Sequence, residues 1–397
     1  MSKFTFKILA KDNKTGARAG KIKTGRGEIE TPAFVPVGTQ ATVKSLDNQE
    51  LERIGVQIFL VNTYHIYLRP GLSVIQKFGD LHRFMGWNKP LMTDSAGFQI
   101  FSLGEANRQR RLRFSVVEEE APLVRISEEG VTFRSHLDGS EHIFTPEKSI
   151  EAQITLGADM MVAFDECTYY PSTQSYAKAA MQRTHRWARR CLVESEKLGK
   201  SQALYGVIQG GVYQNLREES AKFISSLCFA GIAIGGVAVG ESKKEMVDVL
   251  DWVFPFLPEG KPRHLLGVGE IEDIFVLVGR GVDTFDCVMP TRLARMGFAL
   301  RKNKAQRQEH KVEKEKYLID LNKSRYALDE GSIEEGCQCL TCQNYSRGYL
   351  HHLFRAKELL AYRLVSYHNL YFMERLMKQI RNSLKEGRFS ELRKEWL

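Results

Sequence analysis

Eight short apolar runs constrain the fold of this chain more than any other feature. They fall at 33–37, 57–63, 90–94, 159–164, 203–209, 231–235, 264–267 and 283–287. Their β-branched and aromatic content reads as strand. Stretches at 175–198, 214–228, 243–256 and 271–279 separate the later runs, and apolar residues recur there at helical spacing, as in Met246, Val249, Leu250 and Val253. Strand–helix alternation implies an α/β architecture with a parallel sheet. Eight such strands within 397 residues predict a (β/α)8 TIM barrel, with a doubly wound sheet as the alternative. Residues 1–31 read differently. Turns at Thr15-Gly16 and Thr24-Gly25-Arg26-Gly27 separate short alternating segments, which predicts an antiparallel β ribbon closing the barrel floor. Further helices are expected at 349–364 and 371–386.

Polar residues sit at the ends of the apolar runs. Asp94 follows Leu91-Met92-Thr93, Asp165 follows Val162-Ala163-Phe164, Gln209 follows Gly206-Val207-Ile208, and Asp286 follows Thr284-Phe285. In a barrel the strand C-termini converge on one mouth, where active sites are built. Any one such aspartate is more often a helix cap or loop residue. The repeated placement of Asp94, Asp165 and Asp286 argues for a shared site. Gln209-Gly210-Gly211 and Gly235-Gly236 put bare backbone beside that mouth, where a flat ligand could approach peptide N–H groups. Gly267-Val268-Gly269 is no dinucleotide fingerprint, because Glu272 stands where the third glycine would be.

A second cluster lies near the C-terminus: Cys337, Cys339 and Cys342, with His368 after 25 intervening residues. Three thiolates and an imidazole complete a closed tetrahedral zinc shell, which predicts a structural metal. His351 and His352 are nearer in sequence and stay open as the fourth ligand. Residues 291–397 hold 22 Lys+Arg against 13 Asp+Glu, so the whole net charge of +9 lies in this last quarter. A basic, metal-pinned segment suits a nucleic-acid backbone, though charge alone fits a solvated helical surface equally well. Residues 105–125 carry Arg108, Arg110, Arg111 and Arg113, then Glu118, Glu119 and Glu120, and read as a charged insertion. The chain lacks an apolar run of membrane-spanning length and an apolar leader, so a cytoplasmic protein with reduced thiols is expected.

These motifs together resemble the tRNA-guanine transglycosylases of bacterial type. Thr93-Asp94-Ser95-Ala96-Gly97-Phe98-Gln99 is similar to the family's T-D-S-G-G-[FY]-Q, and Phe164-Asp165-Glu166-Cys167 to its F-D-E-C. Tyr205-Gly206-Val207-Ile208-Gln209-Gly210-Gly211 is similar to G-[IV]-[VI]-Q-G-G, and Phe285-Asp286-Cys287-Val288-Met289-Pro290-Thr291-Arg292 to F-D-C-V-x-P-T-R. The Cys337–His368 cluster matches the family zinc site in spacing, and the resemblance covers nearly the whole chain. Ala96 stands where the family usually has glycine, and the 105–125 segment lengthens the Asp94–Asp165 interval.

The resemblance implies one catalytic domain over 1–397, with the β ribbon at 1–31, the insertion at 105–125, a zinc-binding subdomain at 300–370 and a C-terminal helix at 371–397. It implies exchange of guanine at the wobble position of tRNAs with GUN anticodons (Asp, Asn, His, Tyr) for a 7-deazaguanine, through a covalent tRNA intermediate. Asp286 would be the nucleophile and Asp94 the general acid/base. Asp165, Gln209 and Gly236 would read the purine edge, Phe98 would stack on the base, and Leu266 would pack against it. Thr291, Arg292 and Arg295 would hold the RNA. Cys167 and Val239 favour the aminomethyl precursor preQ1 over queuine. Zinc would be the cofactor and a homodimer the assembly. The insertion departs from the family, and its own arginines at 108–113 suggest an electrostatic aid to tRNA binding. Retained stereochemistry at a glycosidic carbon calls for just such a carboxylate nucleophile and proton donor.

Other readings make different demands. A metal-dependent barrel hydrolase needs paired histidines at strand ends, which are absent from the residues named. A non-catalytic tRNA-binding partner subunit can dispense with the nucleophile, yet Asp286 and Asp94 are both present. An archaeosine-type relative usually carries further RNA-binding domains after the metal segment.

Overall fold

The computed structural model describes residues 4–102, 124–199, 201–302 and 317–397. Sixteen strands are named in chain order: β1 (Thr5–Lys11), β2 (Arg18–Thr24), β3 (Gly27–Thr31), β4 (Ala33–Pro36), β5 (Phe59–Val61), β6 (Leu91–Thr93), β7 (Val124–Ile126), β8 (Val131–Arg134), β9 (Glu141–Phe144), β10 (Met160–Val162), β11 (Ala203–Ile208), β12 (Gly231–Ile234), β13 (Arg263–Leu265), β14 (Thr284–Cys287), β15 (Phe298–Leu300) and β16 (Leu318–Asp320). The eight predicted runs are β4, β5, β6 and β10–β14. They form one parallel sheet in the order β4-β14-β13-β12-β11-β10-β6-β5. A parallel bridge between Val37 and Leu60, with Gly38 N donating to Leu60 O at 2.6 Å, joins the two outer strands. The sheet is therefore an eight-stranded α/β barrel, as the strand count predicts.

Both faces of these strands are apolar, which explains their unbroken runs. Val35, Leu60, Met92, Met160, Val162, Val207 and Ala233 pack into the barrel interior. Their neighbours Phe34, Phe59, Val61, Leu91, Met161, Ile208 and Ile234 face the helical layer. That layer includes the helices Gln174–Lys197, Gln214–Ser226, Lys243–Val253 and Ile271–Gly279, close to the predicted bounds. Ser242 and Glu245 start the third of these with a reciprocal capping box.

The N-terminal ribbon is β1-β2-β3, antiparallel, and Ile22 and Ile29 join the interior cluster. Arg18 locks it to the barrel. Its Nε donates to Asp283 Oδ1 at 2.9 Å, and Asp283 Oδ2 also accepts from Arg263 N at 2.7 Å. Both partners of this ion pair are buried, so its geometry must offset a large desolvation cost.

Two differences from the sequence reading have physical causes. The final helices are Arg347–Arg355 and Leu359–Lys385, not 349–364 and 371–386. Lys357 takes φ +58° between them, a break made without glycine or proline. The longer helix buries every residue from Leu364 to Leu370, so no amphipathic stripe marks its middle. The predicted insertion at 105–125 lies outside the described residues, except Val124 and Arg125, which begin β7. The antiparallel sheet β7-β8-β9 that follows has alternation too short to stand out in the sequence. Among the described residues, no helix is long and apolar enough to cross a membrane.

Candidate active site

The strand C-termini open into a cavity of about 390 Å³. Asp94, Phe98, Asp165, Gln209, Gly236, Leu266, Asp286 and Arg292 all line it. Each comes from a different strand end or the turn beyond it, apart from Phe98 and Arg292, which stand on helices after β6 and β14. Thr291 and Arg295, the other predicted RNA contacts, are not among the lining residues. Thr291 is buried with its Oγ1 donating to Val288 O, and Arg295 Nη1 donates to Thr291 O at 2.8 Å.

Asp94 is held on both oxygens. Oδ1 accepts from Thr63 N at 2.8 Å and Ala96 N at 3.3 Å, and Oδ2 from Asn62 Nδ2. Burial nevertheless raises its pKa, the donors acting against the shift. A carboxyl biased toward its protonated form suits a general acid. Ala96 adopts φ +72° in a fully buried turn, a conformation that glycine takes without a Cβ penalty.

Asp165 is more deeply buried, at 6% exposure. Its Oδ1 accepts from Ser95 Oγ at 3.1 Å and its Oδ2 from Gln209 Nε2 at 2.7 Å. Burial raises its pKa from 3.8 to about 6, opposed by Gln209 and Ser95 and reinforced by Asp94. Gln209 Oε1 is buried without a partner. An unpaired acceptor in a cavity wall is costly unless a ligand donates to it. Burial also lifts the Cys167 thiol to about 12, so it contributes a neutral wall.

Asp286 stands on β14 with one oxygen anchored. Oδ1 accepts from His264 Nε2 at 3.1 Å and from Gly267 N at 3.2 Å. Gly267 has φ +81°, which aims its N–H at the carboxylate. Asn62, Ser95, Gln99, His264 and Arg217 were not singled out from the sequence. Arg217 is fully buried and donates to the carbonyls of Ile208, Gly211, Gly235 and Gly236 at 2.6–3.1 Å, bracing both glycine turns. Burial lowers its pKa to about 10.

The sulfurs of Cys337, Cys339 and Cys342 lie 3.9, 3.4 and 3.3 Å from His368 Nδ1. All four ligand atoms fall within 4.8 Å of one another. Tetrahedral coordination at ordinary Zn–S and Zn–N lengths places sulfur and nitrogen about 3.6 Å apart, so the donor set fits a metal ion. His368 Nε2 lies 2.6 Å from Leu300 O, and donation to that carbonyl leaves Nδ1 free to ligate. Neither His351 nor His352 belongs to the cluster, and His351 Nδ1 instead engages Leu321 O at 2.7 Å.

The family model described as queuine tRNA-ribosyltransferase matches residues 12–397. The queuine tRNA-ribosyltransferase of Pelotomaculum thermopropionicum is 48% identical over 393 residues, covering 99% of this chain and 98% of its own. That of Halothermothrix orenii is 48% identical over 393 residues, covering 99% and 97%. A putative queuine tRNA-ribosyltransferase of Archaeoglobus fulgidus is 45% identical over 396 residues, covering 96% of each.

Proposed function

This chain belongs to the queuine tRNA-ribosyltransferase family, and we propose that its barrel mouth replaces guanine by a 7-deazaguanine at the wobble position of tRNA through a covalent aspartyl intermediate. The family activity is guanine transglycosylation of tRNA in queuosine synthesis, and the chain is accordingly a pentosyltransferase. The observation that carries the finer reading is the anchoring of Asp286 through Oδ1 alone, in the cavity that Asp94 also lines.

In this reading Asp286 Oδ2 donates an electron pair to ribose C1′, and the C1′–N9 pair departs with the guanine. Asp94 supplies the proton to the leaving base and takes one from the incoming base, as a partly buried carboxyl with a raised pKa is suited to do. The incoming base attacks C1′, and the C1′–Oδ2 pair returns to the carboxylate. Two displacements retain configuration. Gln209, Asp165 and the backbone at Gly236 read the purine edge, the unpaired Gln209 Oε1 receiving an N–H. Phe98, half exposed at the rim, stacks on the base, and Leu266 packs below it. An anticodon-loop base leaves its stack at small cost. Arg292, exposed at the mouth, holds the backbone with the neighbouring Arg295, and the buried Thr291 supports their helix through its bond to Val288 O. Cys167 and Val239 form the wall that favours preQ1. Zinc on Cys337, Cys339, Cys342 and His368 would be structural, with no open position for chemistry. A non-catalytic partner subunit is disfavoured because both carboxylates share the cavity.

The test is exchange of labelled guanine out of tRNA. Asp286→Ala should abolish exchange together with the denaturant-resistant, base-free tRNA adduct. Full activity in that variant would refute the assignment. Competition by preQ1, queuine and guanine in the same assay ranks the incoming base.

A further inference from the structure

The register of β13 against β14 pairs His264 with Thr284 and Leu265 with Phe285. Leu265 and Phe285 belong to the outer cluster that faces the helices. Strand alternation therefore turns His264, Thr284 and Asp286 to the barrel interior, where the surrounding cluster is Val35, Val207, Ala233 and similar side chains. His264 is fully buried there. Its ring runs along the strand direction from the level of Thr284 to that of Asp286. Nδ1 lies 2.9 Å from Thr284 Oγ1, and Nε2 lies 3.1 Å from Asp286 Oδ1.

With a carboxylate at Asp286 and a neutral imidazole at His264, this line of groups is satisfied in one way. An ionised Asp286 only accepts, so Nε2 carries the proton and donates. A neutral imidazole then has a lone pair at Nδ1, and the Thr284 hydroxyl donates to it. With Gly267 N as second donor, Oδ1 holds two N–H groups, whereas Oδ2 accepts no hydrogen bond among the described residues.

We infer that His264 is a positioning residue for the reaction: with Thr284 fixing its tautomer, it locks the Asp286 carboxylate so that Oδ2 alone presents its lone pair to C1′. The inference rests on the reading of Asp286 as nucleophile. A carboxylate free to turn about its Cβ–Cγ bond would spend much of its time with no oxygen aligned on C1′, and such misalignment is costly in rate. A buried histidine serving packing alone would have no need to bond the attacking residue. Gly267 N cannot hold the carboxylate plane by itself, since one donor leaves the rotation open.

Four variants test this, each first checked for fold by thermal unfolding: His264→Phe, His264→Gln, Thr284→Val and Asp286→Asn. Removing a hydrogen bond to a charged group predicts a fall in kcat on the order of 10- to 100-fold for His264→Phe. KM for tRNA should stay put, because no RNA contact is lost. His264→Gln returns an N–H at the place of Nε2 and should recover kcat to within several-fold of wild type, at unchanged KM. Thr284→Val, nearly isosteric, should cost a few-fold in kcat and add nothing on top of His264→Phe. If His264→Phe does not fold, the Gln and Val variants carry the test alone. A wild-type kcat for His264→Phe and Thr284→Val, or equal losses for Phe and Gln, or a loss carried by KM, overturns the role of His264. Asp286→Asn separates the premise. If it is inactive while His264→Phe is unimpaired, only the positioning role fails. If it keeps full exchange, the nucleophile assignment fails and the inference with it.

Discussion

Asp165→Asn should make this protein more stable. The carboxylate sits at 6% exposure, faced by the Ser95 hydroxyl, the Gln209 amide and the further carboxylates Asp94 and Glu166. Burial moves its pKa from 3.8 to about 6. The folded state therefore binds the proton more tightly than the unfolded chain, and wild-type stability falls as pH rises from about 4 through 6. At about 1.4 kcal/mol per tenfold in proton affinity, the cost at pH 7 is about 3 kcal/mol. Asparagine escapes that cost. Rotation of the Gln209 amide lets its Oε1, now unpaired, accept from the new amide, so one hydrogen bond survives. The gain should be about 2–3 kcal/mol at pH 7, roughly half that at pH 5, and a few tenths near pH 4. Urea unfolding of both proteins at these pH values, at equal metal content, measures it. On the proposed role, guanine exchange should fail in the same variant. A destabilised variant at pH 7, or a gain that does not change between pH 4 and 7, would refute the reasoning.

Cys339→Ser should release the metal and lower the thermal midpoint by several degrees or more, read by metal stoichiometry and calorimetry. The serine can still cap the Leu340–Asn344 helix through Cys342 N, as the sulfur does at 3.3 Å, so the loss reports on the metal. Ala96→Gly relieves a left-handed residue worth about 1–2 kcal/mol but adds about 0.4–1 kcal/mol of unfolded-chain entropy. Stability should change by about 1 kcal/mol or less with exchange retained, and a loss above about 2 kcal/mol by urea midpoint would count against strain at that turn.

The barrel was legible because its strands are buried on both faces. A run such as Met160-Met161-Val162 stays apolar whether a residue points inward or outward, so strand positions stand out even where alternation is lost. The aspartates were legible for the same reason. An acidic residue closing an apolar run, as Asp94 and Asp165 do, marks the point where the strand leaves the dry layer. The metal cluster was legible from ligand type, but the choice of His368 over His351 and His352 needed the fold. Only the long helix Leu359–Lys385 carries the imidazole back to the cysteines, and its buried middle hid that helix from periodicity.

The residues that support the site left no such trace. His264 opens a run rather than ending it, and its significance lies in a register with β14 that no local pattern encodes. Arg217 reads in sequence as an ordinary solvated charge, in Gln214-Asn215-Leu216-Arg217-Glu218-Glu219. In the fold its guanidinium is sealed beneath two glycine turns, against the carbonyls of Ile208, Gly211, Gly235 and Gly236. A trans peptide sets its N–H opposite its C=O. Carbonyls drawn toward Arg217 at Gly235 and Gly236 thus turn the N–H groups of Gly236 and Val237 away from it. Bare backbone can read a purine edge only if its N–H groups are held in place. On the proposed roles, the buried cation does this for the glycine turns as His264 does for Asp286. In both cases the supporting group comes from a neighbouring element, Arg217 from the helix Gln214–Ser226 against Gly235 and Gly236 and His264 from β13 against Asp286, so no pattern local to the supported residues marks it.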